Sequence, residues 1–325
     1  MSTPSRSYPR IQRFVTEHPW AILPSALDAL CEVLESRLDG ARLTAEQIEA
    51  RIGPRGGEEP GRRMVGPVAV IPIQGILAHK MNLLTAMSGG MSAEMIAREV
   101  RAAADDPEVS AIALDVDSPG GSVFGIHEAA EAIYRARASK PVVAVANATA
   151  ASAAYYLASQ ASQVIVTPSG QAGSIGVIAA HMDRSKQAEM LGVRPTFISA
   201  GRYKAEGNDL LPLDDPAREH MQRRVDQYYD AFVRAVARGR KASVQAVRDG
   251  YGEGRMLSAR DAVAAGLADG VASWDRVLAD LVAGKATIAA PARAEIADAD
   301  LATAVMIDPL EDVAAFRARL EALAG

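Results

Sequence analysis

Cysteine is all but missing: Cys31 is the only one in 325 residues. That excludes an intramolecular disulfide framework and any cysteine-rich zinc site, and it fits a reducing compartment. The histidines His18, His79, His127, His181 and His220 are scattered, with no pair at the i, i+4 spacing of a helical metal site. No metal and no cofactor is implied. There is no polybasic block and the net charge is -5, so neither nucleic acid nor an anionic membrane surface is indicated as a partner. No run approaches the roughly 20 apolar residues that cross a bilayer, and the first residues, MSTPSRSYPRIQRFVTEHPW, lack a signal-peptide core. The expectation is a cytoplasmic protein without a membrane anchor. Residues 141–180 contain no Asp, Glu, Lys or Arg. Asn147, Thr149, Ser152, Gln160, Ser162, Gln163, Pro168 and three glycines interrupt that stretch too often for a membrane helix. It reads as the buried centre of a water-soluble domain.

What is present is ordinary for a globular chain, 49% apolar and 23% charged residues, with length enough for a full core. Leu27, Leu30, Cys31, Leu34 and Leu38 form an apolar helical stripe, and on it Cys31 is a small packing residue rather than a reactive thiol. Thr44 to Gln47 has the form of a capping box, and GPRGGEEPGRR over 53–63 reads as a linker. Strand-length apolar runs at 68–77, 110–117, 141–148 and 162–168 then alternate with helical patterns near 92–105 and 122–138. This is the rhythm of an α/β domain with a largely parallel, buried sheet and flanking helices. Residues 214–241 form a long amphipathic helix whose basic residues solvate one face. The organisation expected is a helical extension and linker over 1–62, a central domain over 63–275, and an Ala-rich linker with an amphipathic helix over 276–325.

Two stretches carry chemistry. The strand SAIALDVD runs into Asp117-Ser118-Pro119-Gly120-Gly121, where adjacent glycines let backbone N–H groups converge on a substrate oxygen. Taken alone, such a turn is more often a tight βα connection. ATAASAAYYLAS, residues 148–159, follows the next strand and puts Ser152 at the start of a helix, where free N–H groups and the dipole favour an oxyanion. Ala153 adds a second N–H. An isolated serine among alanines is more often a small packing residue. A serine nucleophile also needs a base, and His127 and His181 border the region without an evident Asp partner. A lysine can serve if desolvation lowers its pKa, and the charge-free segment would supply that environment. Beyond it lie Lys186, in a polar run that reads as a solvated helix face, and Lys204, in SAGRYK.

DSPGG, ATAASAAYYLAS, QAGSIGV (171–177) and SAGRYK (199–204), in that order over about residues 66–275, resemble the signal peptide peptidase family of Ser/Lys serine peptidases. The resemblance implies the ClpP/crotonase fold, with helical N- and C-terminal extensions around it. It implies Ser152 as nucleophile, Lys204 as general base and Ser174 as the hydroxyl that orients the lysine amine. Gly120 or Gly121, with Ala153, would form the oxyanion hole. Ala153-Ala154 stands where the family usually has Gly-Gly, which keeps the N–H and narrows the approach. The membrane segment of anchored members is missing, which argues against signal-peptide processing in the bilayer. The lead-in HPWAILPSALDALCEVLESRL and the RYKAEGNDLLPL context are similar to the phage or prophage head-protease branch, the minor capsid protein C type. That branch implies a protein or peptide substrate, a homo-oligomer, and capsid, scaffold or portal proteins as partners in the prohead. The Ala-lined site implies small or apolar side chains next to the cut.

Other readings stand beside this one: a cytoplasmic peptide-degrading peptidase, and a non-catalytic capsid scaffold of the same fold. An α/β-hydrolase elbow at AGSIG lacks its first glycine and its ordered Asp and His. An acyl-CoA enzyme would have no use for Ser152 and Lys204 together.

Overall fold

The computed structural model describes residues 18–38, 61–80 and 91–285, side chains of 32–38 excepted. The capping box at Thr44, most of the linker at 53–63, and the Ala-rich tail with its last helix lie outside the described residues.

The centre is a sheet in the order β10-β7-β6-β4-β3-β2. Its strands are β2 (Arg63–Val65), β3 (Val68–Gln74), β4 (Ala111–Ser118), β6 (Val142–Ala151), β7 (Gln163–Val166) and β10 (Gly270–Val271). The pairs β3-β4, β4-β6, β6-β7 and β7-β10 are parallel, and β2 is an antiparallel edge. β8 (Gln171–Gly173) pairs with the last residues of β6, and β9 (Met256–Ser258) pairs antiparallel with β8.

These strands carry Val, Ile, Leu and Ala on both faces because both faces are covered. Alternation sorts the side chains: Ala69, Ile71, Ile112, Leu114, Ala144 and Val164 enter the larger core, whereas Val68, Val70, Ala113, Val143 and Ile165 enter a smaller one. The larger core is closed by α2 (Ala93–Asp105), α3 (Ile126–Ala136), α4 (Ala153–Ala158), part of α6 (Asp215–Arg240) and α8 (Ala259–Ala265). Val277 and Leu281 of α9 (Trp274–Val282) close the other face. Two short helices, α5 (Ser185–Met190) and α7 (Val244–Gly250), complete the set.

Local chemistry fixes the helix starts. Ser92 Oγ accepts from Met95 N–H at 3.0 Å to cap α2, and Asp214 Oδ1 accepts from Ala217 N–H at 2.9 Å to cap α6, with Pro216 in its first turn. The arginines of α6 meet carboxylates: Arg234 with Asp230 at 2.6 Å, Arg240 with Asp269 at 2.7 Å, and Arg238 with Glu131. The α/β expectation with a parallel sheet is thus borne out, and the charge-free segment is its buried middle: β6, α4, β7 and β8.

The N-terminal segment supplies β1 (Trp20–Ile22) and α1 (Pro24–Leu38). Trp20, Ile22, Leu27, Leu30 and Ile76 form a third apolar cluster, with Cys31 half-buried against it. β1 pairs antiparallel with β5 (Gly120–Ser122). A three-residue strand carries no detectable period, so only its partner reveals it.

Candidate active site

β4 and β6 run side by side and end at the same edge of the sheet, where ligands of open α/β sheets bind. β4 delivers the DSPGG turn and β6 delivers Ser152. Ser152 is fully buried at the start of α4, in a backbone conformation of φ 54° and ψ -118°. Such geometry costs about 1–3 kcal/mol for a residue other than glycine. It is held from both sides: Ser152 N–H donates to Gly173 O at 2.8 Å, and Tyr156 N–H donates to Ser152 O at 2.8 Å. Ser152 Oγ reaches Gly176 O at 3.4 Å, a weak bond that leaves the hydroxyl little restrained. Ala153 opens α4, where the first N–H groups have no acceptor within the helix.

The glycine turn lies against this serine. A Cβ on Gly120 (φ +96°) would sit 3.0 Å from Ser152 Cβ, 3.0 Å from Ala151 O and 2.2 Å from Ala21 O. A Cβ on Gly121 would sit 2.0 Å from Leu77 O. Glycine is therefore required at both positions by close backbone approach. Ser118, which sequence reasoning passed over, braces the turn: its Oγ donates to Gly75 O at 2.6 Å and accepts from Gly120 N–H at 3.2 Å. The signal was present in DSPGG itself, where a small hydroxyl two residues before a glycine can close a local turn. Gly120 N–H is engaged there, and Gly121 stands opposite Ala21 in the antiparallel pairing with the N-terminal strand.

Ser174 is nearly buried on the other flank, at φ 52°, with its N–H donating to Arg255 O at 2.8 Å. Among the described residues only four other than glycine have positive φ, and Ser152 and Ser174 are two of them. Lys204 is placed differently. It is exposed, in a turn where its N–H donates to Gly201 O at 3.1 Å. It lines a cavity of about 390 Å³ with His18, His181, Tyr203, Glu206 and His220, and Ser152 is not part of that wall. The structure thus brings together Gly120, Gly121, Ser152 and Ala153, sets Ser174 beyond Gly173, and leaves Lys204 in solvent. His127 Nδ1 lies 3.0 Å from Tyr156 Oη, and burial pushes that phenol up to about 12.

A strained serine between a parallel strand and a helix, with a glycine turn packed against it, defines a serine-centred site on an α/β domain. Residues 135–287 match the model of peptidase family S49. The chain is 36% identical over 241 residues to capsid assembly protease C of Escherichia phage lambda, covering 73% of this chain and 54% of that protein. It is 37% identical over 216 residues to head-tail preconnector protein GP5 of Enterobacteria phage P21, 66% of this chain and 43% of that one. Protease 4 of Salmonella typhi is 31% identical over 192 residues, 59% of this chain and 31% of that one. The chain spans about half the length of the first two relatives. A mutant of the 1510-N membrane-bound stomatin-specific protease superposes with a TM-score of 0.38 at 18% identity, over 63% of this chain and 78% of that one. No helix among the described residues is long and apolar enough to cross a membrane.

Proposed function

We propose that this domain is a serine endopeptidase with a Ser152/Lys204 dyad, acting on proteins of a phage capsid during its assembly. The observation that carries the reading is the strained Ser152 between Gly120 and the first N–H groups of α4. The family match and the two phage relatives support the class and the setting.

In the reaction, neutral Lys204 accepts the Ser152 proton while Oγ attacks the peptide carbonyl carbon. The resulting oxyanion is held by the N–H group of Gly120 or Gly121 together with that of Ala153. Lys204 then protonates the departing amine, and water, giving its proton to the same lysine, hydrolyses the ester. Ser174 holds the lysine amine in place. The exposed position of Lys204 makes one demand: the segment between Ala179 and Leu213 must fold inward, against substrate or a second copy of the chain, to bring the amine to Ser152 and strip its water. A homo-oligomer would supply such a wall. Residues 63–275 form the catalytic domain in this reading, with a head-associated location.

Digestion of unfolded casein by the full chain and by its Ser152→Ala variant tests the activity. Fragments from the first and none from the second are expected. Equal digestion, or none by either protein in the presence of capsid proteins, contradicts the reading and favours a scaffold that keeps the fold.

A further inference from the structure

The strand Trp20–Ile22 is held along both edges. On one side Trp20, Ala21 and Ile22 stand opposite Ser122, Gly121 and Gly120 in antiparallel register. On the other, Trp20 N–H donates to Ile178 O at 2.8 Å and Ile178 N–H donates to Trp20 O at 2.9 Å. These two rails flank Ser152. One begins at Gly120, against Ser152 Cβ, and the other follows Gly176, the acceptor for Ser152 Oγ. Ala21 O closes on the spot over Gly120 that also touches Ser152 Cβ. Backbone rails hold any extended chain regardless of its sequence, and pockets for alternate side chains add the selectivity.

Such a pocket is present. Ala21 lines a cavity of about 250 Å³ whose walls include Val123, Phe124, Tyr156, Val177 and Phe232. Ala21 itself is buried, at the edge of the larger core. Pro19 and Pro24 bracket the strand and lack the N–H needed to lengthen its pairing. The segment is short and anchored by Trp20 and Ile22 in the small cluster with Leu27, Leu30 and Ile76.

We propose that Pro19–Leu23 is an internal ligand of the lane beside Ser152, displaced by an extended polypeptide that carries a larger apolar side chain where Ala21 now lies. The proposal rests on the peptidase reading for the identity of that polypeptide as substrate. Its test reads binding, so that the two can fail separately.

The probe is a fluorescein-labelled peptide with the sequence of residues 17–24, unaltered or with Ala21→Leu. Its polarisation is followed against the full chain carrying Ser152→Ala, alone or with Ala21→Leu or Ala21→Asp added. The leucine peptide is expected to bind at least about tenfold tighter than the unaltered one, from the apolar area it buries. Ala21→Leu in the protein should weaken the capture of either peptide at least about tenfold, and Ala21→Asp should strengthen it. Should the aspartate variant fail to fold, the leucine variant decides alone. Affinities indifferent to residue 21 of the protein overturn the proposal. Fluorophosphonate labelling of the unmodified protein runs in parallel. Residue-21-dependent binding without an adduct would keep the lane and remove the peptidase, and an adduct with indifferent binding would do the reverse.

Discussion

Gly120 and Ser152, 32 residues apart in the chain by their numbers, are in contact: a methyl group on Gly120 would lie 3.0 Å from Ser152 Cβ. The contact exists because β4 and β6 are parallel neighbours that end together, with Ser118 opposite Ala150 in the last register pair. Gly120→Ala is therefore expected to disturb both stability and the site. The added carbon meets the Ala21 carbonyl at 2.2 Å, and the residue keeps a φ of +96°. Overpacking and backbone strain together set a loss of about 2–3 kcal/mol, read as a lower urea midpoint, with hydrolysis and fluorophosphonate labelling both lost.

Ser152 holds a backbone conformation that favours glycine. Ser152→Gly should therefore unfold at higher urea than Ser152→Ala, by about 1 kcal/mol after the added chain entropy of glycine is deducted. Both variants should be inert as peptidases. Equal midpoints would show that the turn is not strained.

Arg240 grips Asp269 with two bonds, Nη1 to Oδ2 at 2.8 Å and Nη2 to Oδ1 at 2.7 Å, while Asp269 Oδ2 also accepts from Val164 N–H at 2.7 Å. The pair ties the C-terminal end of α6 to the entry of β7. The guanidinium is nearly buried, so Asp269→Ala leaves the charge without its carboxylate, with only the Nε bond to Gly266 O at 3.1 Å remaining, and should cost about 2–3 kcal/mol. A calorimetric melting temperature checks it, and a change within about 0.5 kcal/mol would contradict it.

Burial holds the Asp115 carboxyl above its usual range, against the opposing bond from Asn147 Nδ2 at 3.0 Å and the charge of Arg63. A carboxyl raised on folding releases its proton first in the unfolded chain. Stability therefore falls as pH climbs from the unfolded value, about 3.9, through the folded one, and the penalty persists above both. Asp115→Asn removes the penalty and should raise the urea midpoint at neutral pH. Below the unfolded value, where the aspartate is protonated in both states, the two proteins should converge. A constant difference across that range would contradict the assignment.

Much of this was legible from residue patterns, for identifiable reasons. Parallel strands buried on both faces read as continuous apolar runs, so β3, β4, β6 and β7 were placed within a few residues. The apolar patterns near 92–105 and over 214–241 marked α2 and α6, whose starts Ser92 and Asp214 cap. Ser152, Gly120 and Gly121 stood in ordered motifs, and the fold brings them together. Two features were not legible. The strand Trp20–Ile22 exists through its partners on both edges rather than through its own pattern. The distance of Lys204 from Ser152 is tertiary: the SAGRYK turn carries no signal of whether it lies in solvent or over the site.

The account turns on Ser152 being an activated nucleophile with Lys204 as its base. The most direct measurement is mass-spectrometric mapping of the fluorophosphonate adduct in the full chain and in its Lys204→Ala variant as a function of pH. One adduct is expected, on Ser152, abolished by Lys204→Ala, which should leave stability within about 0.5 kcal/mol because that side chain is exposed. No adduct on Ser152, or one formed at the same rate and pH profile in Lys204→Ala, would contradict it.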